Sequence, residues 1–309
     1  PEMIKLSERI KTLVGITKIW GESDNNGYVY WIDVFAKSIQ FNITPISISD
    51  QFKNLQDKTK AAWIFTSATL AVNDSFEHFQ TMMGLEEAST LQLKSPFNYN
   101  ENACLYVPTD MPEPNTEMFN LALIKKVFPL ILAAKGRTFI LSTSIKSMNE
   151  ITSFLKDEFE KKNIEFPILT QGIAPKNMLL DQFKSHGNAV LVGSLSFWEG
   201  IDVRGSALSL VIIDKLPFQS PGDPVFESKI NMLKAKGGNP FMSLQLPQAI
   251  ITLKQGAGRL IRDEFDKGVL MICDLRIINK PYGKRIWRSL PAFKRTRDEN
   301  EAIDFLKRL

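Results

Sequence analysis

Residues 1–60 carry a mixed pattern of apolar and polar positions. A polar, amphipathic start gives way to strand-like runs at 28–35 and 38–43, then to a helical stretch around 48–54. Residues 62–66 form a short apolar run that predicts a buried strand, ending in Thr66-Ser67-Ala68-Thr69-Leu70. Between residues 95 and 115 stand Pro96, Pro108, Pro112 and Pro114. Proline fixes φ and removes a donor, so this stretch predicts a connector with one short strand at 103–107.

Beyond residue 115 the pattern becomes regular. Helices are predicted at 117–134, 145–162, 176–185, 224–236 and 243–262, and short apolar strands at 138–142, 167–170, 189–193, 208–214 and 268–273. Continuous apolar strands are buried on both faces, and strands that alternate with helices pair in parallel. The expected fold is therefore α/β, a doubly wound parallel sheet. In such sheets ligands sit beyond the carboxyl ends of the strands, which directs attention to the loops leaving them.

Composition narrows the class. With 309 residues, 44% of them hydrophobic, the chain can bury a sizeable core in one large domain or two smaller ones. No apolar run approaches the roughly 18–20 residues that span a bilayer, and the N-terminus has no signal core. Cys104 and Cys273 are the two cysteines, far apart and outside any CxxC pair. No disulfide framework or metal site is expected, and a reducing cytoplasm is the expected compartment. The net charge of +4 suits a nucleic-acid partner without requiring one. Residues 276–297 hold eight basic residues and no acidic one, which fits either a solvated helix face or a binding surface.

Four loops hold candidate chemistry. Thr66-Ser67-Ala68-Thr69-Leu70 offers hydroxyls at a strand end, which suit signalling between sites or a plain helix cap. Ser142-Thr143-Ser144 precedes a helix start, where backbone N–H groups suit either a phosphate or a cap. Residues 193–205 hold Gly193, Gly200 and Gly205 beside Phe197, Trp198, Glu199 and Asp202. Glycine allows close backbone approach to a ligand, and the two acids can hold basic groups or accept from a ribose hydroxyl; the alternative is a folded loop with a structural role alone. In Gln255-Gly256-Ala257-Gly258-Arg259-Leu260-Ile261-Arg262, helical spacing would set Arg259 and Arg262 on one face. Paired guanidiniums suit the spread charge of a transferring phosphoryl group, or form a plain surface pair. Each glycine costs a helix about 1 kcal/mol, and close approach to a ligand or another lobe would explain that cost.

In this order, the four loops resemble the motifs of the XPD/DinG branch of superfamily 2 DNA helicases. Residues 66–70 look like motif III, 142–144 lie in the motif IV region, 193–205 resemble motif V and 255–262 resemble motif VI. The likeness is nearest to the bacterial DinG/YoaA group. It is carried also by Lys215-Leu216-Pro217-Phe218, Pro221, Asp223-Pro224, Lys280-Pro281-Tyr282-Gly283 and Arg295-Thr296-Arg297-Asp298, and it runs from about residue 31 to 309.

The resemblance implies a second RecA-like motor lobe of an enzyme that couples ATP hydrolysis to movement along single-stranded DNA, 5′-to-3′, in DNA repair. Arg259 and Arg262 would be arginine fingers, with Gln255 ordering the γ-phosphate surroundings. Glu199, Gly200, Asp202 and Gly258 would lie against nucleotide. Ser142, Ser144 and Ser196 would meet DNA, Trp198 and Phe218 would be either core residues or rings on which a base stacks, and Ser67 and Thr69 would couple the lobes.

The chain has no GxxxxGK[ST] phosphate loop, no acidic box for Mg²⁺ and no four-cysteine iron–sulfur pattern. In the family these lie N-terminal to motif III, and the chain begins at Pro1. The expectation is thus a fragment: 1–75 a remnant of the arch insertion and first lobe, 76–115 a connector, 116–309 the second lobe. ATP and Mg²⁺ would be held mainly by the other lobe, and any iron–sulfur cluster would lie outside this chain. Expected partners are single-stranded DNA, that N-terminal lobe and replication or repair proteins, with no membrane. Two rival readings remain: a Rossmann-like cofactor enzyme, which lacks its GxGxxG fingerprint here, and a non-catalytic module that binds nucleic acid or a partner.

Overall fold

The computed structural model describes residues 2–21, 27–59, 61–198, 203, 205–220 and 222–309. Along the chain the first elements are α1 (Glu2–Gly21), β1 (Tyr28–Val34), β2 (Ile39–Pro45), α2 (Ser49–Lys58), α3 (Glu77–Met83), α4 (Tyr99–Asn102) and β3 (Ala103–Tyr106). Then follow α5 (Phe119–Ala133), β4 (Thr138–Ser142), α6 (Ile145–Lys161), β5 (Ile168–Thr170), α7 (Lys176–His186), β6 (Val190–Ser194) and α8 (Leu195–Trp198). The last group is β7 (Leu210–Ile213), α9 (Pro224–Ala235), α10 (Leu246–Ala257), β8 (Gly268–Ile272), α11 (Arg276–Asn279), α12 (Gly283–Ser289), β9 (Lys294–Thr296) and α13 (Glu299–Lys307).

Two compact units divide the chain. One comprises Pro1–Phe65, Glu77–Ala88 and Gln219–Leu244, the other Thr66–Phe76, Ser89–Phe218 and Gln245–Leu309. In the first, β1 and β2 form an antiparallel hairpin, and Trp20 meets Tyr30 and Phe41 edge-on at 5.6 and 5.1 Å. Phe65 contacts Phe52, Trp63 and Phe79. Residues 62–66, expected as a strand, have no regular structure. A strand needs a neighbour to take its N–H and C=O groups, and among the described residues no strand pairs with this run.

The second unit is built on a seven-stranded sheet in the order β5-β6-β4-β7-β8-β3-β9, with every neighbouring pair parallel. Side chains alternate between its faces. Ile140, Val190, Val192, Ile212 and Met271 join one apolar cluster with residues of α5, α6 and α13. Phe139 turns the other way, onto Phe183 of α7 at 4.7 Å between ring centroids. The doubly wound sheet expected from the pattern is therefore the fold.

The short strand expected at 103–107 in the proline-rich stretch is β3, an inner strand between β8 and β9. Residues 66–76 cluster with the sheet, whereas 219–244 cluster with residues 1–65. The long helix expected over 243–262 begins as a π-helical turn at Phe241–Gln245 and ends at Ala257.

Side-chain caps set several helix starts. Ser144 accepts from Ser147 N–H, Asp223 from Phe226 N–H and Asp298 from Asn300 N–H. No helix of the described residues is long and apolar enough to cross a membrane. Asp298→Ala should lower stability by about 1 kcal/mol, because the freed amide of α13 loses its acceptor. A urea midpoint equal to that of the parent protein would contradict this.

Candidate functional site

The loop after β4 is organised by a carboxylate at the end of β7. Asp214, wholly buried, accepts from Thr143 N–H at 2.9 Å, Ser147 Oγ at 2.9 Å and Lys215 N–H at 2.6 Å. Ser147 Oγ also reaches Asn120 Oδ1 at 3.1 Å, and Asn120 donates to Glu150 at 2.7 Å. Burial pushes Asp214 up to about 6, while the bonds from Ser147, Lys215 and Thr143 pull it down. Within this loop Ser142 faces inward with no exposure, and its hydroxyl has no partner among the described residues. It is placed to pack, not to meet a DNA strand. Ser144 is exposed and spends its oxygen on the cap of α6. Asp214 belongs to none of the four motif loops. Its signal was an acid ending an apolar strand, a position where charge is costly without a task.

The loop after β5 braces the loop after β6. Gln171 Oε1 accepts from Ser194 N–H at 2.7 Å and Ser194 Oγ at 3.0 Å, while Gln171 Nε2 donates to Ser196 Oγ at 2.9 Å. This holds Ser196 exposed at the start of the single helical turn α8. Trp198 ends that turn wholly buried. It is a core residue here and offers no ring for a base to stack on. A Cβ on Gly256 would lie 2.9 Å from the Trp198 ring, so the indole is what requires a glycine there. The close approach inferred for Gly256 is real, but the neighbour is this chain's own tryptophan. Glu199, Gly200 and Asp202 lie outside the described residues.

The last loop departs from the helical spacing expected of it. Gln255 stands in the last turn of α10, and Gly258 closes the helix by donating to Lys254 C=O at 2.8 Å. Arg259 N–H and Leu260 N–H then bond Gly256 and Ala257 carbonyls, a tighter turn that ends the helix. Glycine at 256 and 258 weakens the helix where the chain must turn toward β8. Arg259 is buried at 9% exposure and Arg262 half-buried, both beyond the helix and so not on one helical face. Behind them Asp266, buried, accepts from Arg262 N–H, Asp263 N–H and Gly205 N–H, each at 2.8 Å. The tails of the 193–205 loop and of the arginine loop thus meet on one carboxylate.

Residues 66–76 are anchored to the same unit. Thr69 N–H bonds Ser67 Oγ at 3.2 Å, and the two hydroxyls are 3.3 Å apart, a local turn at the surface. Lys254 Nζ donates to Ala71 C=O at 2.9 Å, and Ser289 Oγ to Asn73 Oδ1 at 2.7 Å. Burial lowers the Lys254 pKa, and nearby Asp74 opposes that shift. Lys254 precedes Gln255, so the helix that carries the glutamine also holds the hydroxyl-rich segment.

The basic stretch 276–297 is partly structural. Asp274, wholly buried, accepts from Arg276 Nε at 2.9 and 3.0 Å and from Leu216 N–H at 2.8 Å. The Arg276 guanidinium also lies 5.3 Å from the Phe218 ring centroid, and Tyr282 meets that ring edge-on. Phe218 is thus held between two partners. Arg295 lies over Trp287 at 4.6 Å.

No cluster of three or more His, Cys, Asp or Glu among the described residues could hold a metal ion. Burial pushes the Cys104 thiol up to about 11 and Cys273 well above its usual range. With two cysteines where an iron–sulfur cluster takes four, these residues do not fit one.

Comparison with known proteins bears on this geometry. Residues 127–293 match the family described as "Helicase C-terminal domain". The chain is 46% identical over 285 residues to the Escherichia coli protein named ATP-dependent DNA helicase YoaA, covering 92% of this chain and 44% of that one. It is 33% identical to the Mycobacterium tuberculosis ATP-dependent helicase DinG, covering 86% of this chain and 40% of the relative. The chain thus spans less than half the length of these relatives. Among solved structures, an XPD helicase superposes with a TM-score of 0.62 at 18% identity, covering 84% of this chain and 47% of that one, a likeness of fold.

Asp214 makes stability depend on pH. Its folded pKa, about 6, exceeds the ordinary 3.8, so between these values the folded state holds more proton than the unfolded one. Its contribution is therefore greatest below pH 3.8, declines as pH rises through that window and levels off above it. Asp214→Asn should remove this decline. Urea midpoints that fall equally with pH in both proteins would rule the assignment out.

Proposed function

The chain belongs to the family of helicase C-terminal domains found among YoaA and DinG relatives, and from that membership we propose that it acts as the second motor lobe of an ATP-dependent DNA helicase. ATP is read as lying between this RecA-like lobe and an N-terminal lobe that supplies the phosphate loop and Mg²⁺ site. Arg259 and Arg262 are the proposed arginine fingers, and Gln255 orders the γ-phosphate surroundings. Glu199, Gly200, Asp202 and Gly258 are the proposed nucleotide contacts.

The observation that carries the reading is the meeting of the 193–205 loop and the arginine loop on Asp266. A motor lobe has to move its nucleotide-facing loops together, and this pairing ties them at their tails. Lys254, bonded to Ala71, supports a parallel link from the helix of Gln255 to the Ser67–Thr69 turn. Through that link, Ser67 and Thr69 are assigned to coupling between lobes.

Single-stranded DNA is proposed to cross the loops at the carboxyl ends of the strands, with Ser144 and Ser196 as exposed contacts to its phosphates. Such a grip is independent of sequence and weakens with salt. Ser142 and Trp198 are not assigned to it, because both are buried. Movement 5′-to-3′, a place in DNA repair, and replication or repair partners complete the proposal on the strength of the family likeness.

ATP hydrolysis with single-stranded DNA tests it, using this chain alone and then joined to its N-terminal lobe. The chain alone should be silent, the joined protein active, and Arg259→Ala should lower turnover by roughly 10³–10⁵-fold with the fold intact. Strong hydrolysis by the chain alone would overturn the two-lobe reading. DNA binding without hydrolysis in the joined protein would favour a non-catalytic module.

A further inference from the structure

Asp266 lies in the short loop between the arginine turn and β8, with 5% of its surface exposed. Its Oδ1 accepts from Gly205 N–H, while its Oδ2 accepts from both Arg262 N–H and Asp263 N–H, all at 2.8 Å. Gly205 stands at φ +76, in the left-handed region that costs glycine little and other residues more. Three backbone amides converge on one anion from segments some sixty positions apart in the chain. A carboxylate is suited to this task because both of its oxygens accept. An amide side chain has one accepting oxygen and turns an N–H₂ toward the remaining donors.

We propose that Asp266 is a positioning residue that couples the 193–205 loop to Arg262, so that nucleotide-driven movement of the loop is transmitted to the arginine. This rests on the motor reading given above. Asp266 need not touch nucleotide: it sets where the backbone of Arg262 begins and where the tail of the loop ends. With Asp266→Asn, one oxygen can hold either Gly205 or the Arg262–Asp263 pair, but not both. The arginine then loses its register with the loop while retaining its charge.

The test uses the joined two-lobe protein, with Asp266→Asn, Asp266→Ala and Arg259→Ala measured side by side per folded molecule. Asp266→Asn and Asp266→Ala should each lower DNA-stimulated kcat by roughly 10²-fold, as expected for a misplaced catalytic group. KM for ATP should change by less than about threefold, since ground-state binding is not the function lost. Hydrogen exchange supplies a second readout: the amides of Gly205, Arg262 and Asp263 should exchange faster while those of β8 keep their protection. Full kcat in Asp266→Asn, or unchanged exchange at those amides, would overturn the proposal. So would a lowered unfolding midpoint with normal kcat per folded molecule, which marks a residue that only stabilises the fold. If Arg259→Ala were also fully active, the motor reading itself would fail; loss in Arg259→Ala with none in Asp266→Asn would sink only the coupling.

Discussion

A parallel sheet covered on both faces leaves the amides of its connecting loops out of reach of the strand ladder, and here three buried carboxylates take them. Asp214 holds Thr143 and Lys215, Asp274 holds Leu216 and Arg276, and Asp266 holds Gly205, Arg262 and Asp263. Each joins backbone that is distant in sequence or fixes the turn that follows a strand. A buried N–H without an acceptor costs about as much as a lost hydrogen bond, so these acids determine which loop conformations are allowed. The loops that carry the proposed chemistry depend on them.

The three acids meet the cost of burial in different ways. Asp274 faces the Arg276 guanidinium, and a paired charge needs less help from water. Asp266 is surrounded by amide donors, which together form an anion-binding nest. Asp214 relies on two hydroxyls and two amides, and desolvation still raises its pKa to about 6. One structural device thus yields an ion pair, a backbone clasp and a proton-sensitive joint.

Packing explains the glycines and the tryptophan that look functional in the sequence. Trp198 fills the space against α10 that Gly256 vacates, which ties the turn after β6 to the helix leading into Arg259. The two loops are therefore joined twice, by an apolar contact between Trp198 and Gly256 and by the Asp266 clasp. Substituting either side of the apolar contact would disturb the arginine turn without touching a charge.

The sequence alone determined the fold class and the positions of most sheet strands, because apolar runs of strand length alternating with amphipathic helices allow little besides a covered parallel sheet. The motif loops and the family were legible too, since they lie in fixed order along the chain. Tertiary structure decided which side of each loop faces out. Ser142 and Trp198 turn inward, Ser144 and Ser196 outward, and a pattern of residue types carries no such direction. It also decided that α10 ends before Arg259, because the two glycines and the turn into β8 outweigh helical spacing. Asp214, Gln171 and Asp266 were invisible as anchors, since each takes an amide 71, 23 or 61 residues away, on Thr143, Ser194 and Gly205 respectively, and only folding brings an acceptor to a distant amide.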